Sequence, residues 1–198
     1  MKKFSLVAIL CLFLSAGFSQ TFLHGAGVSL SLSKSSGTDP VAYSGFHYNP
    51  RINVLETEKI ALSVGIPLVL AGSFSYNYSS SMGSNSDFQY LLQVPVTLNL
   101  NIGRGSTKEN TSRMGFFVGG GWAFNQGSFN STIEDPLYNN YYYEIIEDDF
   151  NMGPSANAGL RIGVGRRHRN IEVRLNYMKA ISGSLKPHVF GVTSAFNF

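Results

Sequence analysis

From Asp87 to Ile102 the chain reads DFQYLLQVPVTLNLNI, with an apolar residue at almost every second position. Phe88, Tyr90, Leu92, Val94, Val96, Leu98, Leu100 and Ile102 share one parity, and Gln89, Gln93, Thr97, Asn99 and Asn101 fill most of the other. Alternation of this kind predicts a strand with one apolar and one polar face. Strands of soluble proteins usually run about 5–6 residues. This one keeps its register for sixteen, longer than the roughly 9–11 residues that a tilted strand needs to cross a bilayer.

Seven further stretches repeat the pattern. FLHGAGVSLSLS sets Ala26, Val28, Leu30 and Leu32 against Gly25, Gly27, Ser29 and Ser31. VAYSGFHYNPRINV sets Phe46, Tyr48, Ile52 and Val54 against Tyr43, Gly45, His47, Asn49, Arg51 and Asn53. EKIALSVGIPLVL alternates Ile60, Leu62, Val64, Ile66, Leu68 and Leu70 with Ala61, Ser63, Gly65 and Pro67. MGFFVGGGWAFN puts Phe116, Val118, Trp122 and Phe124 together, and MGPSANAGLRIGVG does so for Ala156, Ala158, Leu160, Ile162 and Val164. In NIEVRLNYMKA, Ile171, Val173, Leu175 and Tyr177 oppose Glu172, Arg174 and Asn176. In PHVFGVTSAFNF, Phe190, Val192, Phe196 and Phe198 oppose Gly191, Thr193, Ala195 and Asn197.

The links alternate in character as well. Those over Lys34–Pro40, Gly72–Ser86, Ser128–Asn151 and Ile181–Lys186 fall on one side of such a sheet, and two of them are long. Leu55–Glu58, Gly103–Arg113 and Gly165–Asn170 fall on the other, tight except for the eleven residues of Gly103–Arg113. An even strand count with short turns on one side and longer loops on the other is the layout of an outer-membrane barrel.

A sheet with a continuous apolar face must bury it in a partner sheet or in lipid. In hydrocarbon every backbone group has to be paired, so a sheet there closes on itself. A soluble sandwich or lipocalin-like barrel is the competing reading, and it calls for shorter strands and an outer face rich in Lys, Glu and Arg. Here the polar parity is mostly Gly, Ser and Asn, small enough to fill the narrow interior of eight strands. The expected fold is therefore all-β: an eight-stranded antiparallel up-and-down transmembrane β-barrel over residues 21–198.

The N-terminus agrees with that compartment. MKKFSLVAILCLFLSAGFSQ has two lysines, an apolar run and then small and polar residues, the order of a secretory signal peptide over residues 1–20. Taken with the eight two-faced strands and the closing aromatic one, it resembles the small OmpA/OmpX-type outer-membrane barrels of Gram-negative bacteria. The resemblance implies outer-membrane localisation with both termini periplasmic, and contact with outer-membrane lipid and lipopolysaccharide. It also implies that Phe190, Val192, Phe196 and Phe198 form a signal read by the barrel-assembly machinery. It identifies an architecture, and a fold hosts many tasks.

Composition narrows the chemistry. The single cysteine, Cys11, lies in the signal segment, so the mature chain is expected to hold no disulfide, thiolate metal site or cysteine nucleophile. Without Lys2 and Lys3, 13 basic residues face 12 acidic ones, and the formal charge falls from +3 to +1. Nothing in that balance suggests nucleic acid. Charged residues make up 14% against about 25% in soluble domains, as befits a chain whose outside need not face water.

Four groups of residues are candidates for a role. Tyr43, His47, Arg51, Gln93, Arg161, Glu172 and Arg174 face inward on the strand pattern and form a candidate lumen network. Its expected part is a plug that pins register; a gated anion or proton path is the alternative. The link from Ser128 to Asn151 carries Glu134, Asp135, Glu144, Glu147, Asp148 and Asp149 with Tyr138, Tyr141, Tyr142 and Tyr143, and no Lys or Arg. YYYEIIEDD within it can extend a hairpin, since Tyr and Ile favour strands. Arg166, Arg167, His168 and Arg169 crowd one turn, where anionic headgroups or a periplasmic protein are the expected contacts. His188 near Ser182 and Ser184 is the one echo of lipid A-modifying barrels, without a motif or an acidic orienter.

Nothing in the sequence calls for a cofactor, a metal or catalysis. The expected function is non-catalytic: surface loops for adhesion, envelope integrity or environment contact, with a surface or periplasmic protein as partner. A subunit of an envelope or secretion machine, resembling PorT-type barrels, is the alternative; a lipid A enzyme or narrow channel ranks below it.

Overall fold

The computed structural model describes residues 21–79, 83–134, 142–165 and 169–198; the signal segment expected over residues 1–20 lies outside them. The described residues form eight strands. β1 is Phe22–Leu23 continued as Gly25–Lys34, β2 is Val41–Tyr48 continued as Arg51–Glu56, and β3 is Ile60–Gly65 continued as Leu68–Ser79. β4 spans Gly83–Gly103, β5 Met114–Glu134, β6 Tyr142–Gly163, β7 Asn170–Lys179 and β8 His188–Asn197.

Each strand pairs antiparallel with its neighbours in sequence, and β8 returns to β1 from His188↔Lys34 to Asn197↔Gly25. That last ladder closes the sheet, so no edge is left in the wall. The breaks inside β1, β2 and β3 fall at His24, at Asn49–Pro50 and at Ile66–Pro67. Proline has no N–H to give a ladder, and the two proline sites lie side by side, Ile66 N donating to the Pro50 carbonyl at 3.1 Å. Beyond them the wall continues, Arg51–Glu56 pairing with Ile60–Gly65 and the latter with β4.

Parity decides which side chain faces where, and the result is an inside-out protein. On β1, Leu30 is 63% exposed and the next residue, Ser31, 2%. Val28, Phe46, Leu70, Leu98, Phe116, Val118 and Leu175 are likewise exposed, while Ser63, Asn99, Asn101, Asn125 and Thr193 are buried. An apolar band of that extent, running round the closed wall, is a surface for hydrocarbon rather than for water.

The two long links are the correction to the expected boundaries. β3 and β4 stay paired to Ser79↔Gly83, and β5 and β6 to Glu134↔Tyr142, so most of Gly72–Ser86 and Ser128–Asn151 is ladder. The reason is local: residues 73–79 alternate Ser or Asn with Phe or Tyr, residues 129–133 and 142–146 hold Phe, Thr, Tyr and Ile, and no proline interrupts the paired part. The hairpin end is the one at which the β1–β2, β3–β4, β5–β6 and β7–β8 ladders finish, with links 35–40 and 180–187, and residues 21 and 198 lie at the opposite, terminal end.

Candidate functional site

The lumen is filled in three layers. At the terminal end the network is built on Glu172 of β7. Its Oε2 accepts from Arg161 Nε at 2.7 Å, and its Oε1 from Arg174 Nε and Nη2 at 3.0 and 2.8 Å. Asn49 and Asn197 donate to the same carboxylate at 3.3 and 3.2 Å. Arg51 makes no ion pair among the described residues; it donates to the Asn101 side chain at 2.9 Å and the Gly105 carbonyl at 2.6 Å. Arg161 donates to the same Asn101 oxygen at 2.9 Å, joining β2, β4 and β6 through one amide. The Phe117 ring lies against both Arg161 and Arg174, its centroid 4.3 and 4.9 Å from the two guanidinium carbons, where a π-face favours a cation.

The eleven-residue link Gly103–Arg113 closes this end by folding inward. Arg104, Ser106, Thr107 and Asn110 are buried, and Asn53 donates to the Ser106 carbonyl at 2.6 Å. Arg104 reaches the Arg169 carbonyl at 3.0 Å and Asn110 the Glu58 carbonyl at 3.0 Å, tying the link to both neighbouring turns. Gly105 sits at φ +71, where a Cβ would come 2.9 Å from Arg161 Cδ. Only glycine brings its backbone that close to the arginines.

The hairpin end is stopped with carbon. Tyr43, Val69, Leu91, Ala123, Phe129, Met178 and Val189 form a buried cluster, with Val41 and Leu185 packed on it. The Tyr43 hydroxyl donates to the Ser128 carbonyl, so its polar tip is satisfied inside an apolar layer. Between the two stops lies a cavity of about 20 Å³, lined by His47, Gln93, Asn157, Arg174 and Met178 among others.

The seven residues of the sequence network are thus divided by depth. Arg51, Arg161, Glu172 and Arg174 meet; His47 and Gln93 line the middle cavity, and Tyr43 stands in the apolar stop. Sequence reasoning missed Asn49, Asn101, Gly105, Phe117 and Asn197. Phe117 was there to be found: with Phe116 on the apolar parity, its neighbour had to face the arginines. Gly119 and Gly121 stand where a Cβ would meet Asn99 Oδ1 at 2.0 Å and the Val96 carbonyl at 1.9 Å.

Of the acidic link, Asp135, Tyr138 and Tyr141 lie outside the described residues, as do the side chains of Glu134, Tyr142, Tyr143 and Glu144. Asp148 accepts from the Ser128 hydroxyl at 2.7 Å, Asp149 from Leu185 N at 3.1 Å, and Glu147 is half-buried opposite Phe129. Arg166, Arg167 and His168 also lie outside the described residues. His188 shares a hydrogen bond of 2.7 Å with the exposed Tyr177 hydroxyl, whereas Ser182 turns to the Met152 backbone, so the two do not form a pair. Among the described residues no three His, Asp or Glu side chains converge as metal ligands would. Phe190, Val192, Phe196 and Phe198 all point outward from β8; the Phe198 ring lies 4.3 Å from His24 and 6.2 Å from Phe196.

No protein-family model and no curated protein sequence matches the chain. Solved structures do. The attachment invasion locus protein Ail of Yersinia pestis is similar with a TM-score of 0.51 and 13% identity, over 90% of this chain and 98% of Ail. Neisserial surface protein A is similar with a TM-score of 0.51 and 11% identity, over 90% of this chain and 97% of that one. At such identity the likeness is one of fold. A closed wall of eight strands, an apolar exterior and a filled polar interior complete the case: in fold the chain is a small outer-membrane β-barrel of the OmpA/OmpX type.

Proposed function

We propose that this protein is a non-catalytic outer-membrane barrel that presents its β5–β6 hairpin at the cell surface to a protein partner, with both termini periplasmic. The observation that carries the reading is where pairing stops. β4 leaves β5 at Leu91↔Gly127, but β5 and β6 continue as a two-stranded arm to Glu134↔Tyr142. A filled lumen offers no wide path, which leaves the two long hairpins to act, and of these β5–β6 carries the denser charge. Its sequence holds six carboxylates, four tyrosines and no cation from Ser128 to Asn151. Tyrosines give contact area at low entropic cost, and the acidic charge selects a basic partner surface, captured in a salt-dependent way. A partner that is itself a polyanion does not suit this arm.

The test is to replace Ser131–Ile145 by a two-residue turn, so that Asn130↔Ile146 becomes the closing pair and Phe129 keeps its place in the apolar stop. Adhesion of cells to host cells and immobilised matrix proteins should fall at least tenfold, with the barrel still folded and in the outer membrane. Undiminished adhesion, or an epitope tag at 135–140 that antibody cannot reach on intact cells, would sink the proposal.

A further inference from the structure

The lumen holds more positive than negative charge. Arg51, Arg161 and Arg174 are each 2% exposed or less, and Glu172 is the one carboxylate buried with them among the described residues. Glu56, the next acid along β2, is exposed at the mouth and takes a hydrogen bond from Asn53 at 2.7 Å. Those three arginines and Glu172 leave two formal positive charges in a dry interior, with Arg104 of the inward-folded link buried at the same end, and an uncompensated cation there is costly. Arg51 is met by neutral oxygens alone, which stabilise a guanidinium without cancelling its charge.

The unbalanced side of the network faces the middle cavity. Arg174 spends Nε and Nη2 on Glu172, and its Nη1 has no hydrogen-bond partner among the described residues. Among the described residues Ser155 Oγ, both amide atoms of Asn157, both ring nitrogens of His47 and Asn176 Oδ1 are also without one, and all of these residues line the cavity with Arg174. A volume of about 20 Å³ admits about one water or one ion of similar size. The rest of the wall is largely carbon, from Val69, Ala123 and Met178 among others. A guanidinium beside an amide N–H, a hydroxyl and the His47 imidazole, which can turn an N–H inward, suits a large, weakly hydrated monovalent anion better than a neutral water, because only the anion offsets the charge.

From the buried charge and the unpartnered donors we infer that the lumen binds one halide-sized anion, chloride in ordinary media, against Arg174 Nη1, Asn157 and Ser155. The ion is a structural part of the plug rather than a solute in transit, since both stops stand on either side of it. The inference is independent of what the hairpin contacts.

Bromide is the probe. Crystals of the folded, detergent-solubilised barrel grown in sodium bromide should show one anomalous peak inside the wall, within hydrogen-bonding reach of Arg174 and Asn157. In solution the temperature at which the folded band disappears on a gel should be higher in bromide or chloride than in fluoride at equal ionic strength. Asn157→Leu, which fills the cavity and leaves every ion pair intact, should remove both the peak and the halide dependence. Bromide found only on the outer surface, or equal midpoints in fluoride and bromide, would overturn the inference without touching the hairpin proposal.

Discussion

One carboxylate organises the terminal half of the lumen. Glu172 takes hydrogen bonds from Arg161, Arg174, Asn49 and Asn197, and the strands behind those residues are β6, β7, β2 and β8. Removing one member of a buried ion-pair set leaves its partners charged and dry, which costs roughly 3–5 kcal/mol. Glu172→Gln should therefore lower the barrel's unfolding free energy by roughly that amount, read from urea unfolding in lipid vesicles. Glu109→Gln, on the exposed part of the inward-folded link, should leave it within about 0.5 kcal/mol. Equal stability of the two variants would mean that the Asn and backbone oxygens carry the arginines without help.

At the scale of the strand, β8 has two tasks, because it pairs with β7 on one side and closes onto β1 on the other. Its outward residues end in Phe198, whose amide donates to the His24 carbonyl at 3.0 Å and whose ring packs beside His24 and Phe196. Beyond the ladder itself, the end of the seam is thus held by one further backbone bond and by rings on the outer face. Phe198→Ser should reduce assembled barrel in the outer membrane several-fold, measured as the heat-modifiable fraction. Phe150→Ser, an exposed aromatic opposite Gln126 at the base of the acidic arm, should not. If the two behave alike, the terminal ring has no special part in closure. The same scale explains the long hairpins: backbone pairing extends as far as alternation of strand-forming residues allows, whether or not either face is buried.

For the molecule as a whole, the question is whether anything passes. Two stops of different chemistry lie in series, one of arginine, asparagine and an inward-folded link, the other of Tyr43, Leu91, Phe129 and Met178. Neither needs the other to block a hydrated solute. In planar bilayers the protein should give no steady conductance steps, and replacing Ser106–Thr111 by a short turn should not create them, because the apolar stop remains. Large stable steps from the native chain would overturn the plug and with it the argument that function resides in the arm.

The sequence by itself determined the wall. A period of two is local and survives any folding environment, so strand number, facing and the inside-out distribution of Leu30 and Ser31 or Phe116 and Phe117 follow from parity alone. Depth is another matter. Parity says that Tyr43, His47 and Arg51 all face inward, but only closure, with its strand tilt and stagger, sends one to the apolar stop, one to the cavity and one to Glu172's cluster. The tertiary structure alone also turned the link 104–113 into the lumen, where Gly105 meets two arginines from β2 and β6. Those partners lie 54 and 56 residues away along the chain, and no periodicity records a contact at that separation.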